Sequence, residues 1–442
     1  MRAALHNLGC KTNAYETEAM GQALKAAGYE VVDFTPDTPA DIYVVNTCSV
    51  TNIADRKSRQ MLHKAKKMNP GAVVVAVGCF VQGHAALILE NEPVDICIGS
   101  NDKHKLTEAL KTYFSDGIKR SYVTDISKGA EFEELGNSGL RTHTRAHIKI
   151  EDGCDRFCTY CIIPYARGRV RSRSLENIME EARSLAVSGV KEVVLTGINM
   201  SSYGRDFKDG TDISMIINGL EDVEGIERVR LSSVEPQLVT EGFLDKIKDA
   251  KKLCPHFHLS MQSGSDGVLK RMNRGYTTDE YLGKCDLLRS YYGNPSLTTD
   301  IITGFPGETK EEFKETLGFI KRVDFFDIHV FQFSPREGTR AADMPDQIAP
   351  GEKRVRSALL IAAGEEMTRR ALEKIAGKEA EIIVEEHVRM EDGEYITGHT
   401  RDYVKVLVDA SGGDVSPGRI ISVKMTEPAG DGRAMHGVMI MR

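Results

Sequence analysis

Cys154-Asp155-Arg156-Phe157-Cys158-Thr159-Tyr160-Cys161 is a Cys-x3-Cys-x2-Cys run, and its reading decides how the rest of the chain is understood. Three thiolates this close can bind three irons of a cubane cluster on one short loop, whereas an electron-transfer cluster normally takes four cysteines. No further cysteine follows until Cys254, so one iron would lack a protein ligand. An open metal position is where substrate or cofactor binds. Soft thiolates also suit zinc, and a zinc site of these three cysteines plus His147 is the alternative that spacing leaves open.

The run follows Ala146–Ile150, a strand by its apolar pattern. Five more strand candidates come after it: Glu192–Leu195, Val229–Ser232, His256–Met261, Leu297–Ile302 and Ile328–Phe333. Helix-period segments such as Leu175–Ser188 and Lys310–Lys321 intervene. Six strand–helix units are too few for a closed eight-unit barrel, so the pattern predicts an open, partial (β/α)6 TIM-like barrel over 143–375. Ligands in such folds sit at the strand C-terminal ends, where the cysteine run falls.

Upstream, Ala3–Asn7, Val31–Phe34, Ile42–Asn46, Val73–Val77 and Ile96–Ile98 alternate with helical patterns such as Tyr15–Ala27 and Asn52–Met68. That order predicts an α/β domain with a doubly wound parallel sheet over 1–113. Residues 114–142 are mostly polar and aperiodic and read as a linker. A long helix, roughly Pro350–Ile375, ends the central region. Five short strand patterns then fill 376–442 (Ala380–Glu386, Tyr395–His399, Val404–Val408, Ile420–Met425 and Gly437–Met441) and predict a small OB-like β-barrel, a shape often used for RNA.

Cys10, Cys48 and Cys79 follow the first, third and fourth of the N-terminal strands. Doubly wound sheets collect ligands at that edge, so three cysteines spread over seventy residues are expected to converge on one crevice, again without a fourth. Cys97, Cys254 and Cys285 lie within strand or helix patterns and read as core thiols.

The 442 residues are 41% hydrophobic and 28% charged, as in an ordinary globular protein, and no apolar run reaches membrane-spanning length. Met1–Cys10 lacks the features of a signal peptide. With an odd number of cysteines, nine, three of them in one tight run, a disulfide framework is not expected and a cytoplasmic location is. Net charge is −7, which argues against indiscriminate nucleic-acid binding, but local stripes differ. No acidic residue interrupts 56–89, while Arg56, Lys57, Arg59, Lys64, Lys66 and Lys67 are basic; Arg167, Arg169, Arg171 and Arg173 form a second stripe. Both are candidate RNA-binding faces. The C-terminal region carries 8 Lys/Arg against 12 Asp/Glu, so RNA contact there needs a local patch such as Arg401, Lys405 and Lys424.

With both cysteine sets placed, the chain resembles the radical S-adenosylmethionine (SAM) methylthiotransferases over nearly its whole length. The resemblance rests on Asn7-Leu-Gly-Cys-Lys-Thr-Asn13, Val45-Asn-Thr-Cys-Ser-Val-Thr51 and Gly153-Cys through Ala166-Arg-Gly168. It extends to Leu195-Thr-Gly-Ile-Asn199, Arg230-Leu-Ser-Ser-Val-Glu-Pro236, His258-Leu-Ser-Met-Gln-Ser-Gly-Ser-Asp266 and Thr299-Asp-Ile-Ile-Thr-Gly-Phe-Pro-Gly-Glu-Thr309. It implies an N-terminal methylthiotransferase domain, a radical SAM core and a C-terminal TRAM domain. It also implies two 4Fe–4S clusters and two SAM molecules per turnover. Cys154, Cys158 and Cys161 would hold the SAM-cleaving cluster, and Cys10, Cys48 and Cys79 an auxiliary cluster carrying the sulfur. Activating an sp² C–H bond requires a radical that acids and bases cannot supply. Thr196, Gly197, Asn199, Ser233, Glu235, Gln262, Ser263, Asp300 and Thr303, at or near strand ends, are the expected SAM contacts.

The stretch Asn46 to Gln60 is similar to the branch acting on N6-threonylcarbamoyladenosine in the tRNA anticodon stem-loop. The basic segment Arg56–Lys67 fits a phosphate surface beside the auxiliary cluster. The isopentenyladenosine and ribosomal-protein branches are same-chemistry alternatives. A non-catalytic iron–sulfur or zinc RNA-binding protein is the alternative of another class. An electron donor such as flavodoxin or ferredoxin is implied and a membrane partner is not; the sulfur source is not readable.

Overall fold

Ile42–Thr47 and Val73–Gly78 are buried at every position, the mark of strands covered on both faces. In the computed structural model, which describes residues 1–136, 144–390, 393–410, 415–430 and 432–440, they are the central strands of the first sheet. Six parallel strands lie in the order β2-β1-β3-β4-β5-β6: β1 (Arg2–Asn7), β2 (Glu30–Val32), β3 (Ile42–Thr47), β4 (Val73–Gly78), β5 (Ile96–Ile98) and β6 (Arg120–Tyr122). Helices α1 (Lys11–Ala26), α2 (Asn52–Met68), α3 (Cys79–Asn91) and α4 (Leu106–Asp116) cross between them. Separate apolar clusters form on the two faces of the sheet, as double winding requires. Strand β6 lies inside the stretch read as linker. Its polar residues pair with β5 at the sheet edge, where one face meets solvent and no apolar run is needed. Residues 137–142 of that stretch lie outside the described residues.

The second unit is a parallel arc of β7 (Arg145–Lys149), β10 (Glu192–Thr196), β11 (Arg228–Leu231) continuing as β12 (Ser233–Val234), β13 (His256–Leu259), β14 (Ser296–Thr303) and β15 (Asp327–Gln332). A two-residue hairpin pair, β8 (Glu151–Asp152) with β9 (Arg171–Ser172), flanks the cysteine run, and α5 (Ile163–Arg167) follows it. Among the described residues β15 does not pair with β7, so the barrel is open, as expected. The helix Pro350–Ile375 packs along β15 and carries Leu372 into the next unit's core.

Five further strands close into a barrel, β16 (Glu379–Met390), β17 (Gly393–Thr400), β18 (Lys405–Asp409), β19 (Ile420–Pro428) and β20 (Met435–Met439). It is docked by two arginines of β11. Arg228 donates to the carbonyls of His399 (3.0 Å) and Glu381 (2.9 Å), and Arg230 to those of Arg401 (2.9 Å) and Thr400 (3.2 Å).

A fully buried ionic knot joins the first two units. Arg167 of α5 donates to Glu16 of α1 (2.8 and 3.0 Å), to Asp152 (3.1 and 3.2 Å), to Asn13 Oδ1 (2.7 Å) and to Cys79 Sγ (3.2 Å). Lys149 of β7 reaches Glu16 (2.8 Å) and Asp152 (2.6 Å), and Lys103 adds Glu16 (3.4 Å) and Glu133 (3.5 Å). Burial alone would raise the Glu16 carboxyl, but Arg167, Lys103 and Lys149 outweigh it and hold it below the usual carboxylate range. Removing one partner of such a cluster strands an uncompensated charge, at a cost of about 3–5 kcal/mol. Arg167→Met should therefore lower unfolding free energy by about that amount, read by chemical denaturation of the purified protein.

Candidate active site at two cysteine triplets

The strand order switches between β1 and β3, and ligands in open α/β sheets bind outside the strand ends at such a point. Cys10, at the N-cap of α1, and Cys48, just past β3, flank that switch, and Cys79 opens α3 past β4. Gly9, at φ +119°, is required here: a Cβ would stand 2.9 Å from Cys48 Cβ and 3.0 Å from its sulfur. Asn13 ties the crevice together, donating to Leu8 O (2.9 Å) and Thr47 O (3.1 Å). Burial pushes the Cys48 thiol up to about 11 and raises Cys79, and neighbouring members of the triplet add to both shifts while Arg167 opposes them. Ionising such thiols needs a compensating cation, as metal binding supplies.

The second triplet lies on the loop between β8 and α5. Gly153, at φ +82°, precedes it where a Cβ would come within 1.9 Å of Arg169 O, so the backbone passes too closely for any side chain. Burial pushes Cys154 up to about 11 and Cys161 up to about 12. Arg274 donates to Cys158 Sγ (3.4 Å) and to Glu235 (2.6 Å). Each triplet thus has one buried arginine aimed at one sulfur. A tetrahedral zinc about 2.3 Å from each thiolate needs sulfurs about 3.8 Å apart. Among the described residues neither triplet brings three ligand atoms within 4.8 Å of one another. Three thiols without a fourth are the donor set of a cluster that keeps one metal position open.

Between the barrel mouth, the N-terminal crevice and the C-terminal barrel lies a cavity of about 840 Å³. It brings Thr196, Gly197, Ser233 and Asp300 together with Gly9 and Cys10. Asn199 stands beside the second triplet, its Nδ2 3.6 Å from Cys154 Sγ and its backbone N–H on Glu151 Oε2 (2.7 Å). Burial raises the Glu151 carboxyl to about 8. Asn199 Oδ1, Glu151 Oε1, Ser232 Oγ and Thr303 Oγ1 are buried without a hydrogen-bond partner. Unsatisfied polar atoms of this kind fit a zwitterionic nucleoside. Gln262, at φ 70°, spends its backbone on Asp300 and Ile302. Ser263 is buried 3.5 Å from Thr316 Oγ1 of the helix Lys310–Val323 and accepts from Ser265 N (3.3 Å), so its hydroxyl is engaged there. His258, Asp300 and His329 bring ligand atoms within 4.8 Å of one another on the cavity wall.

The two basic stripes separate. Arg56, Lys57, Arg59, Lys64 and Lys67 are exposed on α2, whereas Lys66 turns inward to Ala72 O (2.6 Å) and Asp95 (3.1 Å). In the second stripe only Arg169 is exposed. Arg167, Arg171 and Arg173 are buried in ion pairs with Glu16, Asp152, Glu134 and Glu181 and cannot meet RNA. Alternating arginines read as a charged face because their acidic partners come from other elements, 8 residues away for Glu181 and 151 for Glu16. Arg401 likewise docks onto Lys251 and Leu253 carbonyls. Arg274, Glu151 and Lys11 were not singled out by the sequence; nothing but proximity in space distinguishes them. Cys97, Cys254 and Cys285 are fully buried core thiols.

Two family models match the chain: the radical SAM superfamily over residues 148–320 and uncharacterized protein family UPF0004 over residues 2–99. Threonylcarbamoyladenosine tRNA methylthiotransferase MtaB of Bacillus subtilis is 40% identical over 96% of this chain and 93% of that protein. The tRNA-2-methylthio-N(6)-dimethylallyladenosine synthase of Pelotomaculum thermopropionicum is 35% identical over 95% and 93%. Among solved structures, the radical SAM methyltransferase TsrM of Kitasatospora setae superposes with a TM-score of 0.56 at 15% identity, covering 77% of each chain, a likeness of fold alone. A likeness of this extent to both kinds of methylthio-forming enzyme, on a chain with a radical SAM core, leads to one conclusion: it belongs to the radical SAM tRNA methylthiotransferases.

Proposed function

We propose that this enzyme places a 2-methylthio group on N6-threonylcarbamoyladenosine beside the tRNA anticodon, with two 4Fe–4S clusters and two SAM molecules per turnover. The division of labour proposed is 1–113 for the auxiliary cluster, 114–142 as connector, 143–375 for radical generation and 376–442 as the TRAM domain. The observation that carries the reading is convergence: Cys10 lines the same cavity as Thr196, Gly197 and Ser233 at the barrel mouth. The relatives named for threonylcarbamoyladenosine are 38–40% identical and those named for dimethylallyladenosine 33–36%, which supports the substrate.

When bound, the groups supply an electron for SAM cleavage, a methyl group and the transferred sulfur. The chain's own residues do the rest. Cys154, Cys158 and Cys161 would hold the first cluster, with Arg274 neutralising charge at Cys158; Cys10, Cys48 and Cys79 would hold the second, with Arg167 at Cys79. Thr196, Gly197, Asn199, Ser233 and Glu235 are the proposed SAM-orienting groups. The exposed α2 lysines and arginines, with Arg169, are the proposed tRNA phosphate contacts, and the substrate is read as a base splayed from its loop. A cytoplasmic location and a small reducing electron-donor protein accompany this reading. No described helix is long and apolar enough to cross a membrane.

The deciding measurement is mass spectrometry of tRNA nucleosides from cells lacking the gene. The 2-methylthio form of threonylcarbamoyladenosine should disappear; its persistence without a second such enzyme would overturn the substrate. The triplets should fail differently. Alanine at Cys154, Cys158 or Cys161 should abolish 5′-deoxyadenosine formation. Alanine at Cys10, Cys48 and Cys79 together should leave about half the iron and retain SAM cleavage under strong reductant without methylthio product. Full iron and product in that triple variant would sink the two-cluster reading. Lys57→Glu with Lys64→Glu should weaken tRNA binding and reduce the slope of log K against log salt by roughly two, checked by titrations at several salt concentrations.

A further inference from the structure

The C-terminal barrel is more than a tether, because it forms part of the cavity wall. The β17–β18 loop inserts Tyr403, at φ 68°, between His256 (4.6 Å between ring centroids) and His399 (4.7 Å), under the Arg230 guanidinium (4.9 Å). Lys405 of β18 and Arg433 enter the same cavity that holds Cys10 and Lys11.

The carboxylates of that wall are all engaged. Asp300 pairs with His258 (3.3 Å) and His329 (3.2 Å), Asp327 with His329 (3.6 Å) and Glu365 with Arg433 (2.8 Å). Among the described residues, neither Lys11 nor Lys405 has a carboxylate within 4.0 Å. Two lysine side chains, one next to an auxiliary-cluster cysteine and one from the C-terminal barrel, thus line an 840 Å³ cavity without a carboxylate in salt-bridge contact. An apolar substituent would leave both unpaired, and a site built for a polar partner rejects analogues that lack it.

We propose that Lys11 and Lys405 bind the carboxylate of the N6 substituent, so that this pair selects a threonylcarbamoyl over a dimethylallyl adenosine. The inference rests on the substrate reading above. A threonylcarbamoyl group carries one carboxylate and one hydroxyl; a dimethylallyl group carries no polar atom. Charge-assisted hydrogen bonds to one carboxylate are worth about ten- to hundredfold in affinity. A tRNA phosphate is the rival anion for the same lysines.

The test uses the full-length protein with its clusters. Its ligands are anticodon stem-loops bearing threonylcarbamoyladenosine or the neutral carboxamide analogue, with Kd read by fluorescence anisotropy. The parent protein should favour the carboxylate by about ten- to hundredfold. Lys405→Met and Lys11→Met should bring the two Kd values together by weakening the carboxylate ligand alone, and Lys405→Arg should restore the separation. Iron counting checks the Lys11 variant. Should that variant lose iron, Lys405→Met, on a strand with no cysteine, carries the test with its arginine control. Equal weakening of both ligands would assign the lysines to phosphates and overturn the proposal, as would an unchanged separation. Methylthiolation of dimethylallyladenosine but not threonylcarbamoyladenosine by the parent enzyme would instead overturn the substrate reading, and is visible before any variant is made.

Discussion

The Arg167 guanidinium is the point on which this structure turns. All five of its N–H donors are used, on two carboxylates, an amide oxygen and a thiol, and none reaches water. Its partners come from α1, α3 and the β8 hairpin strand, so one side chain holds the N-terminal sheet against the radical SAM barrel. A lysine could supply the charge but not the planar fork that spans Glu16, Asp152 and Asn13 at once. Arg167, Lys149, Lys103 and Arg171 meet Glu16, Asp152 and Glu133, which leaves an excess of positive charge beside Cys79. That charge opposes the burial that raises the Cys79 thiol. The interaction that docks the two units thus also contacts Cys79 of the N-terminal triplet.

That clamp fixes where chemistry can occur. The edge of the first sheet at its topological switch is pressed against the mouth of an open barrel, and Cys10 faces the cavity between them. The missing barrel strands leave the interior accessible on one side, and the C-terminal barrel covers part of that opening. Arg228 and Arg230 hold it there through backbone carbonyls, which constrains the position of the small barrel while leaving its surface sequence free. A cavity of about 840 Å³ bounded by three units lies at the upper end of the range of small-molecule and cofactor sites.

Much of this was legible in the linear chain. Strand starts and ends fell within a few residues of the observed ones, because β-branched runs such as Val73–Val77 have no other way to bury both faces. The segments read as helices from their periodicity, Asn52–Met68 and roughly Pro350–Ile375, match the observed helices. Errors clustered where polar residues are buried. Strand β6 was lost in the linker because a sheet edge needs no apolar alternation. Arg167, Arg171 and Arg173 looked like an exposed stripe, because local pattern carries no information about which solvated face a distant segment will cover.

The sequence by itself determined the elements and the two cysteine triplets, since periodicity, caps and spacing are local properties of the chain. It also determined the family, because the short motifs around those cysteines are dense and specific. Only the tertiary structure decided which charges are paired. Arg167 lies 151 residues from Glu16, and Arg274 lies 116 from Cys158. Whether a charge is a surface contact, a structural clamp or an open recognition group depends on the desolvation and partners that packing creates, and those are fixed only when remote segments meet.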